Sequence, residues 1–413
     1  MRSMTYNERM FSLFSSTKTD LGIIFDIGTS SVGAALVKFD QGKAPHIVFT
    51  VREMMTFQEN VDPIKLFGFM LDALVRANTR ISKEGVAHLK FTEHGDLNVR
   101  RVFFVFSSPW AASETKIIAL HKEDTFTVTP ELVHELLDKE EELFEKNLTT
   151  SGNLKEFKDK LSVVGKEVIQ TKLNGYDSPD PYGKLAKTLD LAFSISVIPK
   201  EVLEKAEEVT HRSYHLKEVR SFSFSLVAFS TLRDLLKKDE DFIFLDIAGE
   251  LADVTVVKNG VIVENSNFSL GRNFVYRKVS EALKEPYEVG ASLLRAHLDG
   301  HVEPGVSETI AGILDTIRTE WLHYFDTALT DISTRVTLPA KVCLIADNEF
   351  VAFFKKAIED EQFTQFGIKG LTFNVQVIDH SFVGDHATFA KGCYRDAFLA
   401  LEAVFVNKVL HTK

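Results

Sequence analysis

Phe242-Ile-Phe-Leu-Asp-Ile-Ala-Gly-Glu-Leu-Ala-Asp-Val-Thr-Val-Val-Lys-Asn-Gly-Val-Ile-Val-Glu-Asn265 is the stretch whose reading decides the fold. An apolar run ends in Asp246, small residues follow, and a second apolar run begins after Asp253. Asn259-Gly260 then divides two β-branched runs. That is the strongest short hairpin signal, because both central residues of a type I′ turn need positive φ. The stretch predicts a strand, a tight polar turn, a second strand and a hairpin. A weaker copy lies near the N-terminus, Gly22-Ile-Ile-Phe-Asp-Ile-Gly-Thr-Ser-Ser-Val-Gly-Ala-Ala-Leu-Val-Lys38, with strands over 23–25 and 32–37. Two strand–Asp–turn–strand units half a chain apart are the pattern to explain.

Working outward, Ile47 to Val51 predicts a third strand, and Asp62-Pro63 caps a helix to about Ala77. Arg101-Val-Phe-Phe-Val-Phe106 reads as a buried strand stopped by Ser107-Ser-Pro109. A separate module follows Trp110, with a strand over 115–120 and a helix over 129–144 begun by Thr129-Pro130. Two long strands, about 162–173 and 188–198, then flank the turn-rich 174–183. Helices over 199–211 and 223–236 lead back to the opening stretch. Residues 274–333 read as mostly helical, the longest helix being 308–332. Val342-Cys-Leu-Ile-Ala-Asp347 is a buried strand, 349–358 a helix, and Asp385 to Leu410 a mostly apolar closing helix. Residues 1–20, with Met10-Phe-Ser-Leu-Phe14, read as a frayed lead-in.

A chain of 413 residues has room for two or more cored domains. Its net charge of −11 argues against a general nucleic-acid or anionic-lipid binder. Two cysteines, Cys343 and Cys393, are too few for a disulfide framework or a zinc site and suit a reducing, cytoplasmic setting. No apolar run is long enough to span a membrane, and no signal-peptide pattern opens the chain. The absence of GxxxxGK[ST] and GxSxG removes the P-loop and hydrolase-elbow readings.

Asp26-Ile-Gly-Thr-Ser30 puts a carboxylate at the end of a buried strand and a glycine at its turn. Such a turn lets backbone N–H groups approach a phosphate, and the carboxylate can hold magnesium through water. Asp246-Ile-Ala-Gly-Glu-Leu-Ala-Asp253 would face it with a second carboxylate and turn.

These paired units resemble the two phosphate-binding hairpins of the actin-like ATPase superfamily. Within it, the chain is similar to the bacterial cell-division FtsA family and its relative, the PilM family. The strand–helix–strand–strand module falls between the hairpins, where the FtsA family carries its extra subdomain. Leu173-Asn-Gly-Tyr-Asp-Ser-Pro-Asp-Pro-Tyr-Gly-Lys-Leu-Ala-Lys-Thr-Leu-Asp190 is similar to a stretch inside that subdomain. The resemblance covers roughly 21–405 and implies a two-lobed α/β, actin-like (ribonuclease H-like) fold. The first lobe is expected over 21–110, completed by 199–240 and 385–413. An insert of the SHS2 type is expected over 111–198, and the second lobe over 241–384.

The resemblance also implies a site for ATP and Mg2+. Asp26 and Asp246 would hold the metal through water. Gly28, Thr29, Ser30, Ala248 and Gly249 would cradle phosphates, with Asp253, Arg295 and Ala346 around the nucleotide. The implied role is a division adaptor that self-associates, tethers FtsZ filaments at the inner face of the membrane and recruits division proteins. The alternative is a PilM-like scaffold with pilus-assembly proteins as partners.

Departures from the family pattern bear on turnover. The second turn usually reads Asp-Ile-Gly-Gly-Gly-Thr-Thr-Asp; here Glu250 replaces a glycine, and Leu251 and Ala252 remove hydroxyls. Ala346-Asp347 stands where the adenine-side motif has Gly-Gly, and Ala291-Ser-Leu-Leu-Arg295 keeps only the cation of its helix motif. Ser223-Phe-Ser225 offers no acid or amide to position water. Together these imply weak binding, slow hydrolysis or a degenerate site. The last helix, opened by Gly392, is similar to one that packs into the first domain. An amphipathic membrane anchor using Phe398, Phe405, Arg395, Lys408 and Lys413 is the other reading.

Overall fold

The structure is a computed structural model that describes residues 20–411 apart from 93–97, 152–160, 237–239, 365 and 367–371. The expected lead-in, except for Asp20, lies outside the described residues. The chain begins β1 (Asp20–Ile27), β2 (Ser31–Phe39), β3 (His46–Met54), α1 (Pro63–Arg80), α2 (Ala87–Thr92) and β4 (Arg101–Phe106). It continues β5 (Ala112–Thr127), α3 (Pro130–Ser151), β6 (Leu161–Leu173), β7 (Tyr176–Asp177), β8 (Leu185–Pro199), α4 (Lys200–His211), β9 (Glu218–Ser223) and α5 (Phe224–Leu235). Next come β10 (Phe242–Ile247), β11 (Ala252–Lys258), β12 (Val261–Phe268), α6 (Arg272–Leu283), α7 (Tyr287–Leu298) and α8 (Pro304–Ser333). It closes with β13 (Lys341–Ala346), α9 (Val351–Glu359), β14 (Asn374–Val377), α10 (His380–Val383), β15 (Thr388–Phe389) and α11 (Ala397–His411).

Two sheets of like design carry the molecule. One has strand order β15-β3-β2-β1-β4-β9 and the other β12-β11-β10-β13-β14. In each, an antiparallel hairpin (β1–β2, β10–β11) is followed by a parallel partner (β4, β13) beside its first strand. The hairpin β11–β12 turns at Asn259-Gly260, both at positive φ as the type I′ reading requires.

Alternation of side chains decides what each sheet face buries. On β10, Ile243, Leu245 and Ile247 join the core under α6, α8 and α9. Phe242 and Phe244 face the other way, into a core shared with Ile24 of β1, α5 and α11. Ile23, Phe25 and Ile27 face out toward α1 and α4. The result is five layers, helix–sheet–helix–sheet–helix. Asp26 and Asp246 both fall on the inward faces, at the ends of their strands. A third sheet, β5-β8-β6-β7, packs on α3 around its own core of Val133, Leu137, Phe193 and Ile195.

The closing helix and several short elements differ from expectation. The closing helix spans Ala397–His411, not 385–410. Gly384 and Gly392 adopt positive φ, which ends a helix, and the Asp396 side chain caps the new one by accepting from Leu399 N–H at 3.1 Å. Strands β9 and β14 were not expected. β9 owes its place to parallel pairing with β4, and β14 to parallel pairing with β13. Among the described residues no helix is long and apolar enough to cross a membrane.

Candidate functional site

Asp26, Gly33 and Arg52 lie in one row across β1, β2 and β3. Gly33 leaves the middle of that row bare, so Arg52 reaches across it; a Cβ at Gly33 would stand 2.8 Å from the Arg52 guanidinium. Arg52 Nη2 donates to Asp26 Oδ2 at 2.7 Å and Nε to Asp396 Oδ2 at 2.7 Å. Its Nη1 donates to the Ser31 hydroxyl at 3.0 Å. Burial raises the Asp26 carboxyl above its ordinary value, and Arg52 pulls it back down. Asp26, expected to hold magnesium through water, thus gives its charge to a guanidinium.

The two turns meet directly. Thr29 Oγ1 accepts from the Glu250 N–H at 2.9 Å. A Cβ at Gly249 would lie 2.3 Å from the Ser30 Cβ, so only glycine permits this approach. Arg272, at the start of α6, donates from Nη2 to the Ser30 hydroxyl at 2.7 Å and ion-pairs with Asp347 through Nη1. The N–H groups of Gly271, Arg272 and Asn273 donate to the carbonyls of Glu250, Ala248 and Gly249 at 3.2, 2.9 and 2.8 Å. Those N–H groups open α6 and are the ones a helix N-terminus offers an anion. Here protein carbonyls use them. Gly28 is held from the other side, its carbonyl accepting from Trp110 Nε1 at 2.8 Å.

Glu250, the carboxylate set at the turn, is buried and fully partnered. Asn273 Nδ2 donates to it at 2.7 Å and Arg277 forms an ion pair with it. Arg277 also donates to the Gln58 carbonyl at 3.1 Å, tying α6 to the segment after β3. Phe57 of that segment stacks on Tyr287 of α7 with ring centroids 3.5 Å apart. Arg295 lies apart from the turns, over the Tyr276 ring and ion-paired with Glu349 at 3.3 Å. Ala346 ends β13 opposite Ile247, and Asp347 after it takes Arg272.

Asp246 and Asp253 are cross-strand partners. Burial pushes Asp246 well above the usual carboxyl range, and the neighbouring Asp253 adds to this. Asp253 is raised to about 7 by burial, opposed by a hydrogen bond from Ser108. Neither has a cationic partner among the described residues.

Mg2+ and a polyphosphate do not fit between turns so arranged. Of the two carboxylates expected to hold the metal, Asp26 is taken by Arg52 while Asp246 has no cation among the described residues; Ser30 fills the space beside Gly249, and the helix N–H groups are occupied. Sequence reasoning named both turns but missed Arg52, Arg272 and Arg277. One signal was available: Gly33, seven residues after Asp26, marks a bare spot beside the carboxylate on the neighbouring strand.

No protein-family model and no curated protein matches the sequence. Among solved structures, the chain is similar to the PilM–PilN type IV pilus biogenesis complex, at 12% identity and TM-score 0.57 over 94% of this chain and 97% of that one. It matches the ethanolamine utilization protein EutJ from Carboxydothermus hydrogenoformans at 11% identity and TM-score 0.43, over 93% and 89% of the two chains. A Bacteroides thetaiotaomicron protein with actin-like ATPase fold and unknown function matches at 10% and 0.38, over 97% and 99%. The chain has the actin-like ATPase fold and, in that fold, resembles PilM.

Proposed function

We propose that this protein is an assembly scaffold of the PilM kind, whose cleft is held shut by its own side chains rather than by a bound nucleotide. The observation that carries the reading is the contact of the two turns, with the Gly249 Cβ position 2.3 Å from the Ser30 Cβ. Arg52 neutralises the first aspartate and Arg272 bridges Ser30 to Asp347. These contacts join the two sheets without a ligand, so the molecule offers partners one fixed shape. The partner class is taken from the similar structure: proteins of a pilus-biogenesis assembly, met by a chain that itself has no spanning helix among its described residues. The inserted sheet, SHS2-type by its strand–helix–strand–strand order, is a surface for such contacts.

The FtsA-like adaptor, with FtsZ filaments as partner, is the second reading; the Asn174–Gly183 segment favours it. Affinity purification from the native cell, with and without enzymatic removal of ATP, separates the two. The scaffold reading expects pilus-assembly components to be retained equally in both samples. Retention of FtsZ, or loss of all partners on ATP removal, overturns it.

A further inference from the structure

We propose that a cavity beside the closed turns is a binding site for a small organic cation, a primary alkylammonium. Its floor follows from strand register. Phe244 and Asp246 of β10 lie opposite Thr255 and Asp253 of β11, which lie opposite Asn265 and Asn267 of β12. Alternate residues share a sheet face, so these six form a grid on one surface. All six line a cavity of about 370 Å3, within the range of small-ligand sites. Its other walls are the Phe106–Pro109 segment, the start of β5, the start of α5 and Phe144 of α3.

The charge in this cavity is one-sided. Its lining holds three carboxylates, Asp246, Asp253 and Glu114, and no lysine, arginine or histidine. Elsewhere in the cleft four acids have met an arginine: Asp26 and Asp396 share Arg52, Asp347 has Arg272, and Glu250 has Arg277. Glu114 has Lys116 at 3.7 Å. Asp246 and Asp253, directly opposite each other, have no cation among the described residues. Asp246 is 2% exposed, and its Oδ1 has no hydrogen-bond partner. Like charges directly opposite on paired strands repel, and a buried charge without a partner is costly. The start of α5 contributes only the partial positive charge of a helix N-terminus.

The rest of the lining says which cation. Phe106, Phe144, Phe224 and Phe244 supply aromatic wall, which suits an alkyl stem and the face of an ammonium group. A hard divalent ion prefers a full shell of oxygens at fixed distances, which phenylalanines do not provide. Asn265 and Asn267 line the same face, though the Asn265 amide is already engaged, donating to the Ser113 carbonyl at 2.9 Å.

The test is calorimetric titration of the full chain with butylamine and with 1,4-diaminobutane, with butanol and Mg2+ as comparison probes. The expected result is saturable binding of the amines and none of butanol. Asp246→Asn and Asp253→Asn should each weaken amine binding by about tenfold or more. Both variants should melt at or above the wild-type temperature, since each removes one of two facing buried carboxyl groups that lack a partner cation. No saturable amine binding in the millimolar range overturns the proposal. So does amine binding that both variants leave unchanged, or displacement of the amines by equimolar Mg2+.

Discussion

Arg52 donates to the Asp26 carboxylate at 2.7 Å across a strand whose intervening residue, Gly33, has no side chain. This pair, with Asp396 on the guanidinium's other edge, ties the first turn to the last helix. Removing the cation leaves two buried carboxylates facing each other. Arg52→Met should therefore cost about 3–5 kcal/mol, the usual price of orphaning a buried charge. Urea unfolding at pH 7.5 reads this. The deficit should shrink as pH falls, because burial already raises the Asp26 carboxyl and loss of Arg52 makes it easier to protonate. A deficit under 1 kcal/mol, an ordinary surface pair by its size (about 0–1 kcal/mol), would mean the pair is not what holds the turn.

Gly249→Ala tests the contact of the turns. Its new Cβ would fall 2.3 Å from the Ser30 Cβ and 2.8 Å from the Ser30 nitrogen, so the turns must part. Overpacking of this sort costs about 1–3 kcal/mol. Ser30→Gly in the same chain should recover part of the loss, since it removes the side chain but not the backbone nitrogen. A wild-type melting temperature for Gly249→Ala alone would show that the turns stand apart in solution.

Glu402 lies fully buried on α11, near Asp26 and Arg52. Burial, then repulsion from Asp26, raises its carboxyl well above 4.5, so the fold favours its protonated form. The unfolded chain ionises it near the ordinary value. Its contribution is thus fully present below about pH 4.5 and is lost as pH rises toward the folded value, at up to about 1.4 kcal/mol per unit. Glu402→Gln abolishes that loss. The variant should gain on wild type as pH rises above about 5 in paired urea melts. A gap that stays constant over that range contradicts the buried, neutral acid.

The last helix is core. Leu399, Leu401, Phe405 and Val406 of α11 are buried between the two large sheets. Leu401→Ala should cost about 2–5 kcal/mol, as for other buried leucines. Vesicle pelleting should be the same for wild type and for a Lys408→Glu variant, because Lys408 is paired with Asp234 rather than free for headgroups. Vesicle binding that Lys408→Glu removes would restore the anchor reading of this helix.

The fold was legible because its signals are local. Asp–turn–strand units, Asn259-Gly260 and the apolar runs of β4 and β13 each declare themselves within ten residues. β9 and β14 were not legible: Glu218–Ser223 and Asn374–Val377 are short and polar, and only neighbouring strands make them strands. The closing helix was read too long because Asp385 to Leu410 is mostly apolar, whereas positive φ at Gly384 and Gly392 makes turns of the residues before Ala397. The candidate site was legible only in its turns. Arg52 and Asp396 are 344 residues apart in sequence, and no spacing rule joins them. Glu250 looked adverse to a phosphate because the sequence shows its charge but not Asn273 and Arg277, which reach it from α6.

The most direct measurement of the central claim is calorimetric titration of Mg·ATP into the purified full chain, beside Asp246→Ala. With the turns in contact, Arg52 on Asp26 and Arg272 on Ser30, the expected result is no saturable heat at millimolar nucleotide for either protein. Saturable, magnesium-dependent binding to wild type that Asp246→Ala abolishes would contradict it, and would show that the turns open to admit a nucleotide.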